Sequence, residues 1–456
     1  KYIFNHRLMI AVRGLGVVSV MLALAGAAVS ARQGATRPRA ESFGPLRRDS
    51  ASGRDAIARL QARINAGDVV LTRDSAFGYL PSLLRALEIP VSSQGLVFSR
   101  TSLQTDKIAP WSPRAIYFND DVYIGYVQES HFLEIGAVDP VAGAVFYTLS
   151  QEPAARPSFS RETTTCLMCH QSRAATGGVP GFMVLSTISD RHGYPIVGVH
   201  EGTTTDVTPV RQRFGGWYVT GTHGTSGHAG NVYSPLLGHE VSDKQAYRGK
   251  VNMSTESART ELADKFDASP YLSGHSDVVA LMVLVHQTIV HNLVTSAHET
   301  AKDVERFGTP VGDSATLARA RAEATGPNAR MTAAVDRLLR AMLFIDAAPL
   351  DGPMQGTTAF AKEFPRSGPR DRQGRSLRDF DLSRRLFAYP LSFLIYSESF
   401  DALPMPAKRE FYARLWEILH GTDPHPDFRQ ISADDRRAIL EILDATKPEF
   451  ATLRNR

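Results

Sequence analysis

The sequence predicts an α+β protein, in which an antiparallel β-rich region is covered by a mostly helical C-terminal half. Three observations predict it. Between residues 96 and 150, "RAIYFNDDVYIGYVQ" turns at Asn119-Asp120-Asp121, and "HFLEIGAVDPVAGAVFYTLSQ" turns at Asp139-Pro140 and Gly143. Paired β-rich runs about such turn clusters are the pattern of a meander. Beyond residue 276 apolar residues recur instead at helical spacing, as in "SDVVALMVLVHQTIVHNLVTSAHET". The chain has 2 cysteines in 456 residues, so no disulfide framework holds it and the fold must rest on its core.

Taken in order, the chain opens with "KYIFNHRLMIAVRGLGVVSVMLALAGAAVSARQG". Arg7 and Arg13 make a basic start, Gly14 to Ala28 is apolar and uncharged, and Ala28-Val29-Ser30 are small. Residues 1–30 therefore read as a secretory signal, and the run is short for a membrane span. An uncleaved anchor is the competing reading. There is no twin-arginine pair and no lipid-anchoring cysteine. The expectation is a periplasmic or exported protein with no integral membrane span after signal cleavage. Residues 31–50, polar and Arg-rich, read as a linker. A β-rich region over 51–240 and a helical region over 241–456, packed on it, complete the expected layout.

Within that layout, "SGRDAIARLQARINAG" places Ile57, Leu60 and Ile64 on one helical face, with Gly67 as the stop. "FGYLPSLLRALEI" is a second short helix. After the meander, "GFMVLSTIS", "YPIVGVH" and "GGWYVTGT" read as three further strands. The long helix is capped by Ser276 or Asp277, and "ATLARARAEA" and "MTAAVDRLLRAMLFI" continue the helical pattern. Residues 350–378 are rich in Gly, Pro and Arg and read as a long loop. "KREFYARLWEILHG" ends at Gly421, and "SADDRRAILEILDATKP" is capped by Ser432 and stopped by Pro448.

The formal net charge is +4. Lys1, Arg7 and Arg13 all lie in the expected signal, which holds no acid, so the rest is close to neutral. That balance gives no reason to expect nucleic acid as a partner. No Gly-rich phosphate loop follows a strand, and no carboxylate pair stands out from a solvated surface.

Both cysteines fall in "TTTCLMCHQS", as Cys166 and Cys169 with His170 directly after. A disulfide or redox pair, a zinc site and covalent haem all use closely spaced cysteines. Zinc would need further histidines, since no second cysteine pair exists. Cys-x-x-Cys-His is the c-type attachment pattern: two thiols add to the haem vinyl groups and the following His ligates the iron. The expectation is one covalent haem c with His170 as proximal iron ligand. The β-rich region is then the haem-bearing one. His223, in "GGWYVTGTHGTSGHAGN", is the candidate distal ligand, with His228 behind it. His286 and His291 interrupt the apolar helix, and His286 is the rival distal residue. Met183 and Met282 are weaker candidates. Arg213, with Arg173 and Arg211, is a candidate partner for the haem propionates. Trp217 and Tyr218 are candidates to pack on the haem edge.

Several segments together resemble a known family: "SPRAIYFNDDVYIGYV", "EIGAVDPVAGAVFYTL", "CLMCH", "GGWYVTGTHG", "ALMVLVHQTIVHNLV" and "YPLSFLIYSESFDALP". They look like exported bacterial proteins with a single c-type haem motif, described as cytochrome c domain-containing. The resemblance covers most of residues 90–450 and implies a cofactor without a defined reaction. The final helix also resembles the closing helix of ordinary c-type cytochromes. Two functions are expected to compete. One is electron transfer to a redox partner protein. The other is a haem enzyme with an open or weakly held sixth site, peroxidase-like or acting on a small molecule. A simple carrier needs only about 100 residues, and this chain is far longer.

Overall fold

Period-2 alternation over residues 114–150 builds the centre of the molecule. In this computed structural model the described residues are 53–199, 201–225, 227–245, 247, 259–307 and 327–453. The expected signal, the linker and "ATLARARAEA" lie outside them. Six antiparallel strands follow one another: β1 (Gly95–Val97), β2 (Arg114–Phe118), β3 (Val122–Tyr126), β4 (Phe132–Asp139), β5 (Gly143–Ser150) and β6 (Phe159–Glu162). The turn between β4 and β5 is set by Asp139, whose Oδ1 accepts from the Val141 and Ala142 amides at 2.9 Å. Gly143 closes it at φ 76°, where a Cβ would lie 2.5 Å from the Thr295 side chain. Register then runs from Asp139↔Gly143 to Phe132↔Ser150.

A two-stranded ribbon, β7 (Leu185–Thr187) with β8 (Glu201–Thr203), follows the cysteine motif. The short β9 (Trp217–Tyr218) returns to the outer edge of β1, giving the sheet order β6-β5-β4-β3-β2-β1-β9. β10 (Thr222–His223) pairs with β11 (Met354–Gln355). Residues 194–199 of the segment "YPIVGVH" form no strand: Pro195 makes an isolated bridge to Ser189, and Gly198 turns at φ 84°. Proline gives the ladder no N–H, which ends pairing there. The sheet is therefore nearly complete before the motif, and the motif follows it.

Alternation gives the sheet two buried faces. Tyr117, Ile124, Ile135 and Tyr147 form one cross-strand row. They pack under α1 (Ala56–Ala66) and α2 (Leu80–Ala86), whose Ile57, Leu60, Ile64 and Leu83 belong to the same core. Gly67 ends α1 in the left-handed conformation, as the sequence predicts. The opposite face carries Phe118, Tyr123, Val138 and Phe146, in one core with the long helix. Every residue of β3 is buried for this reason.

The short helices α3 (Leu167–His170) and α4 (Arg173–Thr176) precede the long α5 (Val278–Phe307). Asp277 caps α5, its Oδ1 accepting from Val279 and Ala280 at 2.8 and 3.1 Å. Among the described residues one helix, Val278–Arg306, is long and apolar enough to cross a membrane, and 89% of its most apolar stretch is buried within the protein. Then come α6 (Pro327–Met342), α7 (Phe360–Glu363), α8 (Glu398–Asp401), α9 (Met405–His420), α10 (Ala433–Thr446) and α11 (Pro448–Leu453). Gly421 ends α9 in the left-handed conformation, and the Ser432 side chain caps α10. Pro448 closes α10 but also opens α11, where its missing N–H costs nothing. The expected regions 51–240 and 241–456 belong to one unit, Asp49–Arg456, because the sheet and α5 share a core.

Candidate functional site

The cysteine motif sits in a single helical turn after β6. Cys166 already has helical angles, and its carbonyl accepts from the His170 amide at 2.9 Å. Positions i, i+3 and i+4 share one helix face, so Cys166, Cys169 and His170 lie together. Met168 falls on the other side and is 77% exposed. Cys166 packs partly against the larger core, Cys169 is exposed, and both thiols are free.

The orientation of His170 is fixed by its own backbone and by α5. Its Nδ1 lies 2.9 Å from the Gly181 carbonyl oxygen. A carbonyl can only accept, so Nδ1 carries the proton and Nε2 keeps its lone pair. The Gly181 amide returns a bond to the His170 carbonyl at 2.8 Å. Gly181 is held in turn by Asn292 of α5, which accepts from the Phe182 amide at 2.8 Å and donates to its carbonyl at 2.7 Å. A Cβ on Gly181 would lie 2.2 Å from Asn292 Oδ1, so glycine is required. The Phe146 ring lies 4.6 Å from the imidazole, centroid to centroid. Burial pushes the His170 pKa down, which favours the neutral ring that a metal needs.

The Cys166 thiol is pushed up to about 11, chiefly by burial, with Glu162 and Glu134 adding to it. A dithiol that exchanges electrons works through a thiolate of lowered pKa, and burial acts on Cys166 in the opposite direction. Among the described residues no three His, Cys, Asp or Glu side chains group as ligands of a metal ion. Covalent haem asks less of the protein. Two thiols and one neutral imidazole nitrogen on one face are the donors it needs, and these residues fit it.

The other predicted residues fall elsewhere. α5 serves as a ruler, since Asn292 holds the segment after the motif, while a Cβ on Gly221 would meet Val278 at 2.7 Å. At 1.5 Å per residue those contacts are about 21 Å apart along the axis. His223 follows Gly221 on β10, buried, its ring 4.7 Å from His228. Gly221 and Gly224 are packed against neighbouring backbone. Cβ atoms on them would lie 2.4 Å from the Gln355 carbonyl oxygen and 2.7 Å from that of Asp351, so they admit the strand β11 and the loop before it.

His286 has both nitrogens committed, Nδ1 to Asp206 Oδ2 at 2.7 Å and Nε2 to Ser392 Oγ at 2.8 Å. It offers iron no free nitrogen in this arrangement. His291 Nε2 donates to the Asp120 carbonyl at 2.8 Å. Arg213 is buried beside Asp206, giving Nε to the Thr208 carbonyl, Nη2 to the Asp206 carbonyl and Nη1 to Met282 Sδ. Arg173 and Arg211 are exposed and Met183 is half-buried. Trp217 Nε1 donates to the Leu185 carbonyl, and the Tyr218 hydroxyl to that of Pro110. The structure thus gathers Arg213, Met282 and His286 into one cluster with Asp206, separate from the motif.

Sequence reasoning missed Gly181, Asp206 and Ser392. A backbone carbonyl leaves no trace in residue type, and Asp206 and Ser392 lie 80 and 106 residues from His286. Asn292 did carry a signal, being a polar residue inside the apolar run. Comparison with family models, with curated proteins and with solved structures finds no match to this chain.

Proposed function

We propose that the chain is an exported c-type monohaem protein that exchanges electrons with a redox partner protein. One observation carries the reading: Cys166, Cys169 and His170 share one face of a helical turn, with His170 Nδ1 tied to the Gly181 carbonyl. Cys166 and Cys169 would hold the haem as thioethers, and His170 Nε2 would ligate its iron. When bound, the haem supplies a one-electron redox centre. Gly181 fixes the imidazole plane and raises its donor strength. Asn292 anchors Gly181 to the core helix, so the ring cannot swing away. Exposure of Cys169 and Met168 puts the motif where a partner can approach. His286, fully committed, and His223, at the far end of α5, are poorly placed to complete the iron's coordination. The length of the unit favours a second reading, a haem enzyme with an open sixth site acting on a small molecule.

The test is haem staining of the denatured protein after maturation in a host with attachment machinery. The wild type should stain and give a c-type pyridine haemochrome, and Cys166→Ser with Cys169→Ser should not. An unstained wild type defeats the proposal. In the stained protein, spectra indifferent to CO select electron transfer, and a CO-shifted Soret band selects the enzyme reading.

A further inference from the structure

The cluster around Arg213 borders a cavity that the haem reading does not use. It lies between α5, the segment after α6 and the loop before the 3-10 turn at Phe393, with a volume of about 190 Å³. Its walls are mixed, with apolar Leu343, Phe344, Leu350 and Phe387 beside charged residues. Phe344 holds a left-handed backbone at φ 55°, an unfavourable conformation for a bulky residue that the fold sustains at this wall. Its ring stacks 4.3 Å from that of His286.

The charge at the cavity is unevenly satisfied. Arg385 lines it but is held by both Asp435 oxygens, at 2.9 and 2.6 Å. Arg384 is paired with Asp381 and is 81% exposed. Arg213 differs: it is 1% exposed, and its three hydrogen bonds go to two carbonyl oxygens and a thioether sulfur. Sulfur is a weak acceptor. Asp206 points Oδ2 at His286 and is not ion-paired with Arg213 among the described residues. The Asp206 carboxylate favours the Arg213 cation only through space; a buried guanidinium with no carboxylate in direct contact is costly, and a ligand carboxylate would supply that contact with matching fork geometry.

We propose that this cavity binds a small monocarboxylate with a flat apolar body, in the size class of benzoate, its carboxylate on Arg213. A dry cavity of about 150 Å³ is enough to hold a benzene ring, so the volume admits such a body. The Asp206 and Asp435 carboxylates on the lining repel any anion, and a dianion such as phosphate more than a monocarboxylate. The inference stands apart from the haem, because α5 separates Met282 at this cavity from Asn292 beside the motif by about 15 Å of axial rise.

Calorimetric titration of the full chain with benzoate, benzyl alcohol and inorganic phosphate tests it. Benzoate should bind saturably and at least about tenfold tighter than benzyl alcohol, as a charge-assisted pair requires. Arg213→Met should erase that preference. Ala347→Trp, at a partly exposed lining position, should remove binding of both aromatic probes. If Arg213→Met does not fold, Ala347→Trp and the three-probe comparison still decide. The proposal is overturned if benzoate binds no tighter than benzyl alcohol, if phosphate binds tighter than benzoate, or if Ala347→Trp leaves benzoate affinity unchanged.

Discussion

Asp121, at the β2–β3 turn, gives the fold one source of pH dependence. Burial pushes its carboxyl up to about 7, with the neighbouring Asp120 and Glu398 adding to the effect. Asp120 itself is paired with Arg378, so the turn joins the sheet to the loop region around residue 378. A folded-state pKa above the unfolded one means the native protein holds this proton more tightly. Stability from this group is therefore full at low pH and falls as pH rises from the ordinary carboxyl value of 3.8 to about 7. Asp121→Asn should remove that slope and stabilise the protein at pH 8 by roughly 1–3 kcal/mol. Urea denaturation at pH 4 and pH 8 measures it, and parallel profiles for variant and wild type would sink the assignment. The turn itself was legible in "NDD". The protonation was not, because it depends on chain elements that only folding brings near.

At the scale of elements, α5 carries the most. Its run of apolar residues announces a buried helix, and three of its polar interruptions bond to distant chain: His286 to Asp206 and Ser392, His291 to Asp120, Asn292 to Phe182. Gln287 donates to the Tyr123 hydroxyl at 2.8 Å. These bonds tie α5 to the chain around it, since burying such groups without partners is unfavourable. The N-terminus is tied equally firmly. Asp277 Oδ1 caps the helix, while Oδ2 accepts from the amide and hydroxyl of Thr358, both at 2.8 Å. Asp277→Ala removes the cap and strands a Thr358 amide, so a loss of about 2–4 kcal/mol is expected. Asp277→Asn, which keeps an acceptor, should lose less. Equal losses in the two variants, read from chemical denaturation, would show that the carboxamide cannot replace the cap.

On the scale of the whole molecule, one sheet separates two cores, and the larger core crosses the predicted regional boundary. Phe118, Tyr123, Phe146, Phe182 and Trp217 share it with Val278, Leu281 and Val285 of α5. A fragment of residues 53–245 would leave that face uncovered, an apolar surface larger than soluble monomers usually expose. Expressed alone, it should bind the dye ANS and lack a cooperative thermal transition. A fragment that melts cooperatively without binding dye would show the β-rich region to be an independent domain.

By itself, the sequence determined the α+β class, the meander over 114–150, the caps at Gly67 and Gly421, and the placing of Cys166, Cys169 and His170 within one turn. These depend on local periodicity, turn chemistry and spacing within one helical turn, all of which act over a few residues. Only the tertiary structure decided which histidines are free to act. His170 keeps Nε2 because Gly181, placed by Asn292 more than a hundred residues on, takes its other nitrogen. His286 loses both nitrogens to Asp206 and Ser392. Gly221 and Gly224 proved to make room for the chain at 351–355. Such outcomes depend on partners distant in sequence, and the residue types of the sequence hold no record of which distant groups will meet.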